Sequence, residues 1–340
     1  MTNLPPGLAF EQPILDLEQR IAEIEAIVNP PAESTEQLRQ LRRERLELIK
    51  QVYGRLDPWQ VVQVARHPNR PQTTDYLELV FDEFLELHGD RCFGDDRAMR
   101  TGFAKIDQFK VMVVGHQKGK TLKERNACYF GCAHPEGYRK ALRKMRLAAK
   151  HHLPVICFID TPGAYPGIGA EERGQAQVIA ESMFEMSRLP TPIICVVIGE
   201  GGSGGALGIG VGDRVAVLEY AYYSVISPEG CAGILWKSHE FAPQAARALR
   251  FGSKDLKGFG VVDEIIEEPL GGAHRDVRQM ANRMKNFLLR TLRELKAKPT
   301  GELLDGRYEK FRRMGMFLEG AAAASQTPRP HGVGRELAHT

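Results

Sequence analysis

Two uninterrupted apolar runs dominate the middle of the chain, at residues 154–159 and 192–198. Short runs without charge are typical of strands that are buried on both faces. Between them, residues 176–186 repeat apolar side chains with the period of one helix face, namely Ala176, Ile179, Met183 and Met186. This order predicts two parallel strands joined by a right-handed helical crossover. The loops that follow the two strands are then expected at the same edge of the sheet, where ligands bind in open α/β sheets.

The N-terminal part of the chain predicts a helical hairpin. Ile14, Leu17, Ile21, Ile24 and Val28 lie on one helix face, and the Asn-Pro-Pro sequence at 29–31 ends that helix. A second helix is marked by Leu38, Leu41, Arg45, Leu48 and Val52. A hairpin with such a narrow apolar stripe is not stable by itself. We therefore expect it to pack on the main body or to dock on another subunit.

The remaining pattern predicts shorter elements. They are a helix at 76–87 ended by Gly89, a strand at 111–114, a helix from Pro135 to Lys150, strands at 214–218 and 223–226, a helix started by Ser227-Pro228, and helices at 241–249 and 275–295. Residues 57–74 are rich in Pro, Arg and His and are interpreted as a solvated connector, with contact of its basic groups with a phosphate as the less favoured alternative.

A long polar, basic segment at residues 115–132 leaves two interpretations open. Lys118, Lys120, Lys123 and Arg125 either steer an anionic substrate or form an ordinary solvated surface.

Composition narrows the possible classes of protein. The 340 residues carry a net charge of +3, with basic residues scattered, so no nucleic-acid partner is indicated. No apolar run reaches the length of a membrane span, and the N-terminus lacks the pattern of a signal peptide. Cys128 and Cys132 have no second pair to complete a zinc site, so we predict no metal in this chain. Sparse cysteines favour a reducing cytoplasm.

The glycine stretch at residues 199–212 satisfies three motifs at once. Gly199-x-Gly201-x-x-Gly204 matches a dinucleotide fingerprint, which requires an acidic residue further on, and Glu219 comes early for that role. Gly201-x-Ser203-x-Gly205 matches the nucleophile elbow of serine hydrolases. The acids and bases available for such a triad are Asp213, Asp255, Asp263, His239 and His274.

The third interpretation is an oxyanion hole built from two loops. Pro162-Gly163-Ala164 and Ser203-Gly204-Gly205 follow the two apolar runs, so one backbone N–H from each loop can converge on a single oxygen. A helix starting at Ala206 would add the donors of its N-terminus. This interpretation accounts for more of the sequence than the other two.

Longer segments carry a family resemblance. The matching segments are 10–14 (FEQPI), 65–71 (ARHPNRP), 115–119 (GHQKG), 135–143 (PEGYRKALR), 158–167 (FIDTPGAYPG), 169–175 (GAEERGQ), 197–207 (VIGEGGSGGAL), 223–232 (YSVISPEGCA) and 268–275 (EPLGGAHR). In these segments the chain resembles the alpha subunits of bacterial-type acetyl-coenzyme A carboxylase carboxyltransferase. The resemblance covers residues 10 to about 317.

The resemblance implies a fold and an activity. The fold is α/β and crotonase-like, with repeated β-β-α units around a twisted sheet. The reaction transfers the carboxyl group of carboxybiotin to acetyl-coenzyme A, which gives malonyl-coenzyme A for fatty acid synthesis. Biotin is attached to a separate biotin carboxyl carrier protein, and biotin carboxylase is a further partner. The active site lies between alpha and beta subunits, which are expected as an α2β2 assembly, and zinc is expected only in the beta subunit.

The apolar pattern, the composition and the extent of the resemblance together divide the chain. Residues 1–56 form the N-terminal hairpin or docking extension, 57–300 the carboxyltransferase domain, 301–319 a C-terminal helix, and 320–340 a disordered, Ala-rich and Pro/Gly/His-rich tail.

Backbone groups carry the predicted catalytic roles. The N–H groups of Gly204 and Gly205, with Gly163 or Ala164 opposite, are expected to stabilise the ureido oxygen of biotin. The predicted cofactor-binding residues around them are Gly201, Gly202, Ser203, Ala206, Tyr165 and Pro166.

Side-chain bases are not needed in this scheme. Asp160, Glu171 and Glu172 are conceivable bases, but turn and helix-start roles are favoured for them. A crotonase-type acyl-coenzyme A hydratase or isomerase, and a non-catalytic scaffold, stay as alternative functions.

Overall fold

The strands form one twisted sheet whose centre is parallel. The computed structural model describes residues 8–27 and 31–315. Within these residues the strands are β1 (Glu83–Glu86), β2 (Met99–Ile106), β3 (Phe109–His116), β4 (Val155–Thr161), β5 (Ile193–Gly202), β6 (Arg214–Leu218), β7 (Tyr222–Ser224) and β8 (Glu264–Ile266). Their order is β1-β2-β3-β4-β5-β6-β8, and β7 pairs with the end of β5.

The helices surround this sheet. They are α1 (Gln12–Glu25), α2 (Ala32–Tyr53), α3 (Pro58–Ala65), α4 (Thr73–Val80), α5 (Leu122–Ala127), α6 (Pro135–Lys150), α7 (Ile168–Glu172), α8 (Gln175–Arg188), α9 (Ser203–Leu207), α10 (Pro228–Trp236), α11 (Ala242–Leu249), α12 (Ser253–Gly258), α13 (Val277–Lys296) and α14 (Thr300–Arg312). Short 3-10 turns lie at Ala9–Glu11, Tyr129–Gly131 and His239–Phe241. No helix of the described ranges is long and apolar enough to cross a membrane.

The two apolar runs are the centre of the sheet, as the sequence predicts. Every residue of β4 and β5 is buried, and the two strands are parallel neighbours joined through α8. Their pairing shifts register after Ile159, so that Thr161 lies opposite Gly201. Strands β1, β2 and β3 extend the sheet as an antiparallel edge.

The N-terminal helices α1 and α2 pack against each other, as predicted, and against the main body. Ile14, Ile49 and Tyr53 form a small buried cluster with Val64 of α3. Arg275, near the start of α13, is paired with Glu11. Val28 and the start of the Asn-Pro-Pro break lie outside the described residues, as does the predicted tail at 320–340.

Several predicted elements are wrong in detail. The connector at 57–74 contains a helix, α3, because the Asp57 side chain accepts a hydrogen bond from the Gln60 N–H and so caps its N-terminus. The helix predicted at 76–87 ends at Val80, and β1 follows it. Strand β2 was not predicted, and α9 begins at Ser203 rather than Ala206.

Helix α8 is placed correctly, but its buried face is only partly the predicted one. Ala176 is exposed, whereas Val178 and Met186 are buried and Ile179 and Met183 pack at the edge of the core.

Candidate functional site

Two glycine-bearing segments meet at the carboxyl ends of β4 and β5. We call residues 162–167 the Gly163 loop and residues 202–205 the Gly204 turn. A Cβ added to Gly205 would lie 2.4 Å from the Ala164 nitrogen, and one added to Gly202 would lie 2.2 Å from the Pro162 oxygen. The two segments are therefore in direct backbone contact, and glycine is required at both positions because any side chain would separate them.

The sharp change of direction falls on Ser203. This residue has a left-handed φ of 51°, although it is not a glycine, and its side chain is exposed. A serine in this conformation at a strand-to-helix turn is strained. Because Ser203 adopts this conformation, β5 leads directly into α9. The first N–H groups of the helix therefore follow the last strand residues without a loop.

Open space lies over part of this arrangement. A Cβ added to Gly163 would meet no atom within 4 Å, and one added to Gly204 would meet only Ile179 of α8, at 4.0 Å. Of the two donors predicted on the Gly163 loop, the Gly163 N–H is already bound to Thr161 Oγ1 at 3.1 Å, whereas the Ala164 N–H donates no hydrogen bond among the described residues. The first N–H groups of α9 have no side-chain cap and no acceptor within the helix. Backbone donors from both segments are thus free beside an unobstructed surface.

Side chains from α6 and α8 hold the two segments in place. The buried Tyr138 hydroxyl donates to the Gly205 carbonyl at 3.1 Å, and Gln175 Nε2 donates to the Tyr165 carbonyl, also at 3.1 Å. The Tyr165 ring stacks on His134 with their centroids 4.1 Å apart. These hydrogen bonds and the ring stacking therefore fix the backbone of both glycine segments.

The structure brings the predicted site residues together, but at different depths. Gly163, Ala164, Tyr165 and Gly204 are half-buried, while Pro166 and Ser203 are exposed. Gly201, Gly202, Gly205 and Ala206 are buried, and the Ala206 side chain is wholly inside the core. Gly201 faces the ring of Tyr223.

A buried group of charges lies directly beneath both segments. We call Lys118, Asp160, Glu200, Arg66 and Tyr222 the Lys118 cluster. The Lys118 Nζ atom lies 2.7 Å from Asp160 Oδ1 and 2.5 Å from Glu200 Oε2. Glu200 also accepts hydrogen bonds from Arg66 Nε at 2.6 Å and from the Tyr222 hydroxyl at 2.6 Å. Its backbone N–H donates to Asp160 Oδ1 at 2.9 Å.

These contacts favour the charged form of Glu200. Burial alone would raise the pKa of Glu200, but Lys118 and Arg66 outweigh that effect and lower the pKa to about 2. Burial also opposes the charge of Lys118, yet the two carboxylates raise the pKa of its ammonium group above the ordinary value. A cavity of about 300 Å³ lies beside the cluster and is lined by Arg66, Lys118, Phe130, Asp160, Pro162 and Glu200, among others.

The solvated interpretation of the connector at 57–74 is wrong. Arg70 is 3% exposed and forms a buried ion pair with Glu268, and its Nε donates to the Ile198 carbonyl at 2.7 Å. Arg66 and Lys118 also have buried carboxylate partners, so neither is a free surface cation. Lys120, by contrast, is more than half exposed and pairs with Asp75.

The side chains proposed for a hydrolase triad are bound elsewhere. Asp213 pairs with Arg307, Asp263 with Lys310 and Asp255 with Arg250. His274 faces Glu11, and His239 Nδ1 lies 3.1 Å from the Glu229 carbonyl. None of these contacts involves Ser203. The dinucleotide motif fits poorly as well, because its first two glycines lie inside β5 rather than in a turn.

A second group of ligand-type side chains lies away from the glycine segments, at Glu11, His67 and His274. Glu11 Oε1 accepts hydrogen bonds from Tyr53 and Arg275. His67 Nδ1 accepts from the Asn69 N–H, so its Nε2 carries the ring proton and has no free lone pair. Glu11 and His67 are thus engaged in hydrogen bonds where the hairpin meets the main body, whereas both ring nitrogens of His274 lack a hydrogen-bond partner among the described residues.

Sequence reasoning missed most of the Lys118 cluster. Glu200 gave the clearest available signal, because a lone acidic residue at the end of an apolar strand is expected to be paired. Arg66, Tyr222 and the supporting Tyr138 gave no comparable signal, since their partners are distant in sequence.

Comparison with known proteins places this site in a family. Residues 7–315 match the family described as acetyl co-enzyme A carboxylase carboxyltransferase-like. The chain belongs to this family. It is 70% identical over 314 residues to the acetyl-coenzyme A carboxylase carboxyl transferase subunit alpha of Rhodopirellula baltica, covering 92% of this chain and 98% of that protein. The subunit of the same name from Methylococcus capsulatus is 53% identical over 315 residues, with coverage of 92% and 98%.

Solved structures share the fold at low sequence identity. A transcarboxylase 12S crystal structure superposes with a TM-score of 0.56 at 18% identity, covering 69% of this chain but only 44% of its own. A Pseudomonas malonate decarboxylase hetero-tetramer in complex with coenzyme A gives a TM-score of 0.53 at 17% identity, covering 65% of this chain and 91% of its own. With the family match, these likenesses confirm the predicted crotonase-like fold.

Proposed function

We propose that this chain, together with a beta subunit, transfers a carboxyl group from carboxybiotin to acetyl-coenzyme A and so forms malonyl-coenzyme A. The observation that carries the proposal is the backbone contact between Gly205 and the Gly163–Ala164 peptide, with free N–H donors from both segments beside open space. The named relatives, similar along 92% of the chain, support the same reaction.

The residues present fit a biotin ureido group. Bound carboxybiotin would supply the carboxyl group as carbon dioxide and, once its N–CO2 bond has broken, a nitrogen that takes the acetyl proton before the new C–C bond forms. In this chain the N–H groups of Gly204 and Gly205, with that of Ala164 opposite, would face the oxygen on which negative charge develops, whereas the Gly163 N–H already donates to Thr161 Oγ1 at 3.1 Å. Each well-placed donor of this kind is worth about 3–4 kcal/mol to the transition state. The open surface over Gly163 allows the ring to approach the backbone closely.

No side-chain base from this chain is required by the proposal. Asp160 is committed to Lys118 and to the Glu200 N–H, and Glu171 and Glu172 are exposed on the short helix α7. The role proposed for Tyr165, Pro166 and Ser203 is to shape the walls around the ring. Gly201, Gly202 and Ala206 support that surface from below, because they are buried.

The proposal includes an α2β2 assembly with zinc confined to the beta subunit. Delivery of the biotin group by a carrier protein and its carboxylation by biotin carboxylase complete the scheme, which we place in the cytoplasm. The six cysteines, none of them in a disulfide in the structure, fit that reducing compartment.

The test is malonyl-coenzyme A formation from acetyl-coenzyme A and carboxybiotin, measured for this chain with and without the beta subunit. Activity only in the complex is expected. Ser203→Ala should retain most of that activity, because the Ser203 hydroxyl has no base beside it. Hydration of an enoyl-coenzyme A by this chain alone would overturn the proposal, and near-total loss in a folded Ser203→Ala variant would revive the hydrolase interpretation.

A further inference from the structure

The Lys118 cluster joins the two strands at the place where their glycine segments begin. Asp160 lies in β4 three residues before Gly163, and Glu200 lies in β5 four residues before Gly204. One ammonium group contacts the carboxylates of both. A change in the distance between β4 and β5 at this level would therefore also change the distance between the two sets of backbone donors.

The Asp160 side chain packs directly against the backbone of β5 here. A Cβ added to Gly199 would lie 2.5 Å from Asp160 Oδ1, and the Glu200 N–H donates directly to that same oxygen. This contact coincides with the register shift after Ile159. The regular backbone hydrogen bonding between β4 and β5 is thus interrupted at Asp160. The side chain of Asp160 makes the contact between the two strands there.

Two buried carboxylates at such close range repel each other unless a cation lies between them. The side chains of Asp160 and Glu200 are both 7% exposed, and that of Lys118 is 16% exposed. Arg66 also neutralises Glu200, but it is shared with Glu229 and makes no contact with Asp160 among its hydrogen bonds. Lys118 is therefore the group that bridges the two strands.

We propose that Lys118 is a positioning residue for carboxyl transfer, which sets the separation between the Gly163 loop and the Gly204 turn by bridging Asp160 and Glu200. It acts through the backbone and is not itself placed against the transferred group. The inference rests on the proposed function, since the measured reaction is carboxyl transfer.

The surroundings determine how the cluster responds to loss of the lysine. The titratable or charged groups that face it come from several segments: Arg66 after α3, Arg70 before α4, His116 at the end of β3, Cys132 before α6, Tyr222 in β7 and Glu229 in α10. Of these, Arg66 is the cation that remains in contact with Glu200 when Lys118 is replaced. Asp160 keeps no contacting cation.

The test compares Lys118→Met with Lys120→Met in the complex with the beta subunit. Methionine keeps the length and packing of the side chain but removes the charge. We expect kcat to fall by about 100-fold in Lys118→Met, the loss that a misplacement of about 1 Å causes, with a much smaller change in the KM for acetyl-coenzyme A. Lys120→Met should match the wild type, because Lys120 lies two residues away and contacts Asp75 instead.

A pH profile separates repulsion from simple loss of packing. Without Lys118, two buried carboxylates share the site with no cation between them, and uptake of one proton as the pH falls relieves their repulsion. The rate of Lys118→Met relative to wild type should therefore rise at lower pH. The double variant Lys118→Met/Glu200→Gln lacks the repulsion at all pH values, so its kcat should be at least tenfold higher than that of Lys118→Met. Lys118→Arg keeps the positive charge, so its kcat should fall less than that of Lys118→Met.

Amide hydrogen exchange gives a readout that does not depend on activity. Peptides covering the Gly163 loop and the Gly204 turn should exchange faster in Lys118→Met, while peptides from α13 stay unchanged. Wild-type-like kcat and exchange in Lys118→Met would overturn the inference, as would a uniform loss that is independent of pH and not relieved by Glu200→Gln. An inactive wild-type complex would instead overturn the proposed function.

Discussion

Two adjacent glycines at the site have different structural reasons for being glycine. The absent Cβ of Gly205 points at the Ala164 nitrogen, whereas that of Gly204 points at the Ile179 side chain across a normal van der Waals distance. Both lie in the same motif, so the sequence treats them as equivalent. The structure separates a residue that any side chain would disrupt from one that has room for a methyl group.

This difference gives a paired prediction. Gly205→Ala should abolish carboxyl transfer, because its Cβ would lie 2.4 Å from the Ala164 nitrogen and push the Gly163 loop away. Gly204→Ala should keep activity within about tenfold of wild type, since the methyl group fits beside Ile179. The measurement is malonyl-coenzyme A formation by the complex, with thermal unfolding as the control for folding. Equal losses in the two folded variants would contradict the assignment.

At the level of single residues, the sequence predicted which two backbone segments meet. It did not predict the backbone conformation or the side-chain pairs that hold them together. Apolar runs followed by glycine locate the ends of β4 and β5, because burial and turn chemistry are local properties. The left-handed Ser203 and the pairing of Lys118 with Glu200 depend on contacts between distant segments. Local pattern carries no information about such contacts, which is why Lys118 was assigned either to substrate steering or to the solvated surface.

Among the elements, helix α14 is fixed to the core by the buried Arg307, beside a second contact from Lys310 to Asp263. Arg307 is 1% exposed, and its guanidinium donates to both carboxylate oxygens of Asp213 at 2.9 and 2.8 Å. It also donates to the carbonyls at the end of α8, including Leu189 at 3.0 Å and Thr191 at 2.8 Å. The helix was predicted from sequence as a C-terminal element, but its anchoring residue was not recognised.

Replacing that anchor should be costly. Arg307→Met leaves Asp213 as a buried carboxylate without a cation, so we expect the free energy of unfolding to fall by about 3–5 kcal/mol. Arg313→Met, in the next turn, is the matched control, because Arg313 is 80% exposed and should change stability by less than about 1 kcal/mol. Urea unfolding of both variants gives the comparison, and similar values for the two would refute the anchoring role.

Elements with strong periodicity were predicted correctly, as α6, α8 and α13 show. The antiparallel edge was predicted only in part, since the strand at 111–114 lies in β3, whereas β1 is only four residues long and its sequence continues the helical pattern of α4. Neighbouring strands decide between helix and strand for such a short segment. The connector at 57–74 failed for a related reason, since charge alone suggested solvent while long-range pairing buried Arg70.

Across the whole molecule, a stacked histidine pair lies where the N-terminal hairpin meets the main body. The rings of His67 and His274 lie 4.0 Å apart, next to Glu11. Burial, together with His274, lowers the pKa of His67 from 6.5 to about 4. The unfolded chain therefore binds a proton at His67 before the folded chain does as the pH falls.

The sign of the resulting pH dependence is fixed. The contribution of neutral His67 to stability is complete above about pH 6.5 and is lost progressively as the pH falls towards about 4. His67→Asn keeps an acceptor for the Asn69 N–H but does not titrate, so its unfolding free energy should fall less between about pH 7 and about pH 4.5. His151→Asn, at an exposed position, is the control and should follow the wild type. A variant curve parallel to wild type would exclude this role of His67.

The span of these contacts along the chain also dictates the order of folding. Glu11 pairs with a residue 264 positions away, and Arg70 with one 198 positions away. During synthesis Glu11 therefore emerges long before Arg275, the cation that pairs with it. The apolar cluster with Val64 involves only nearby segments, but loop closure over the longer distances is slow, so the charged contact of the hairpin should form only after residue 275 has left the ribosome.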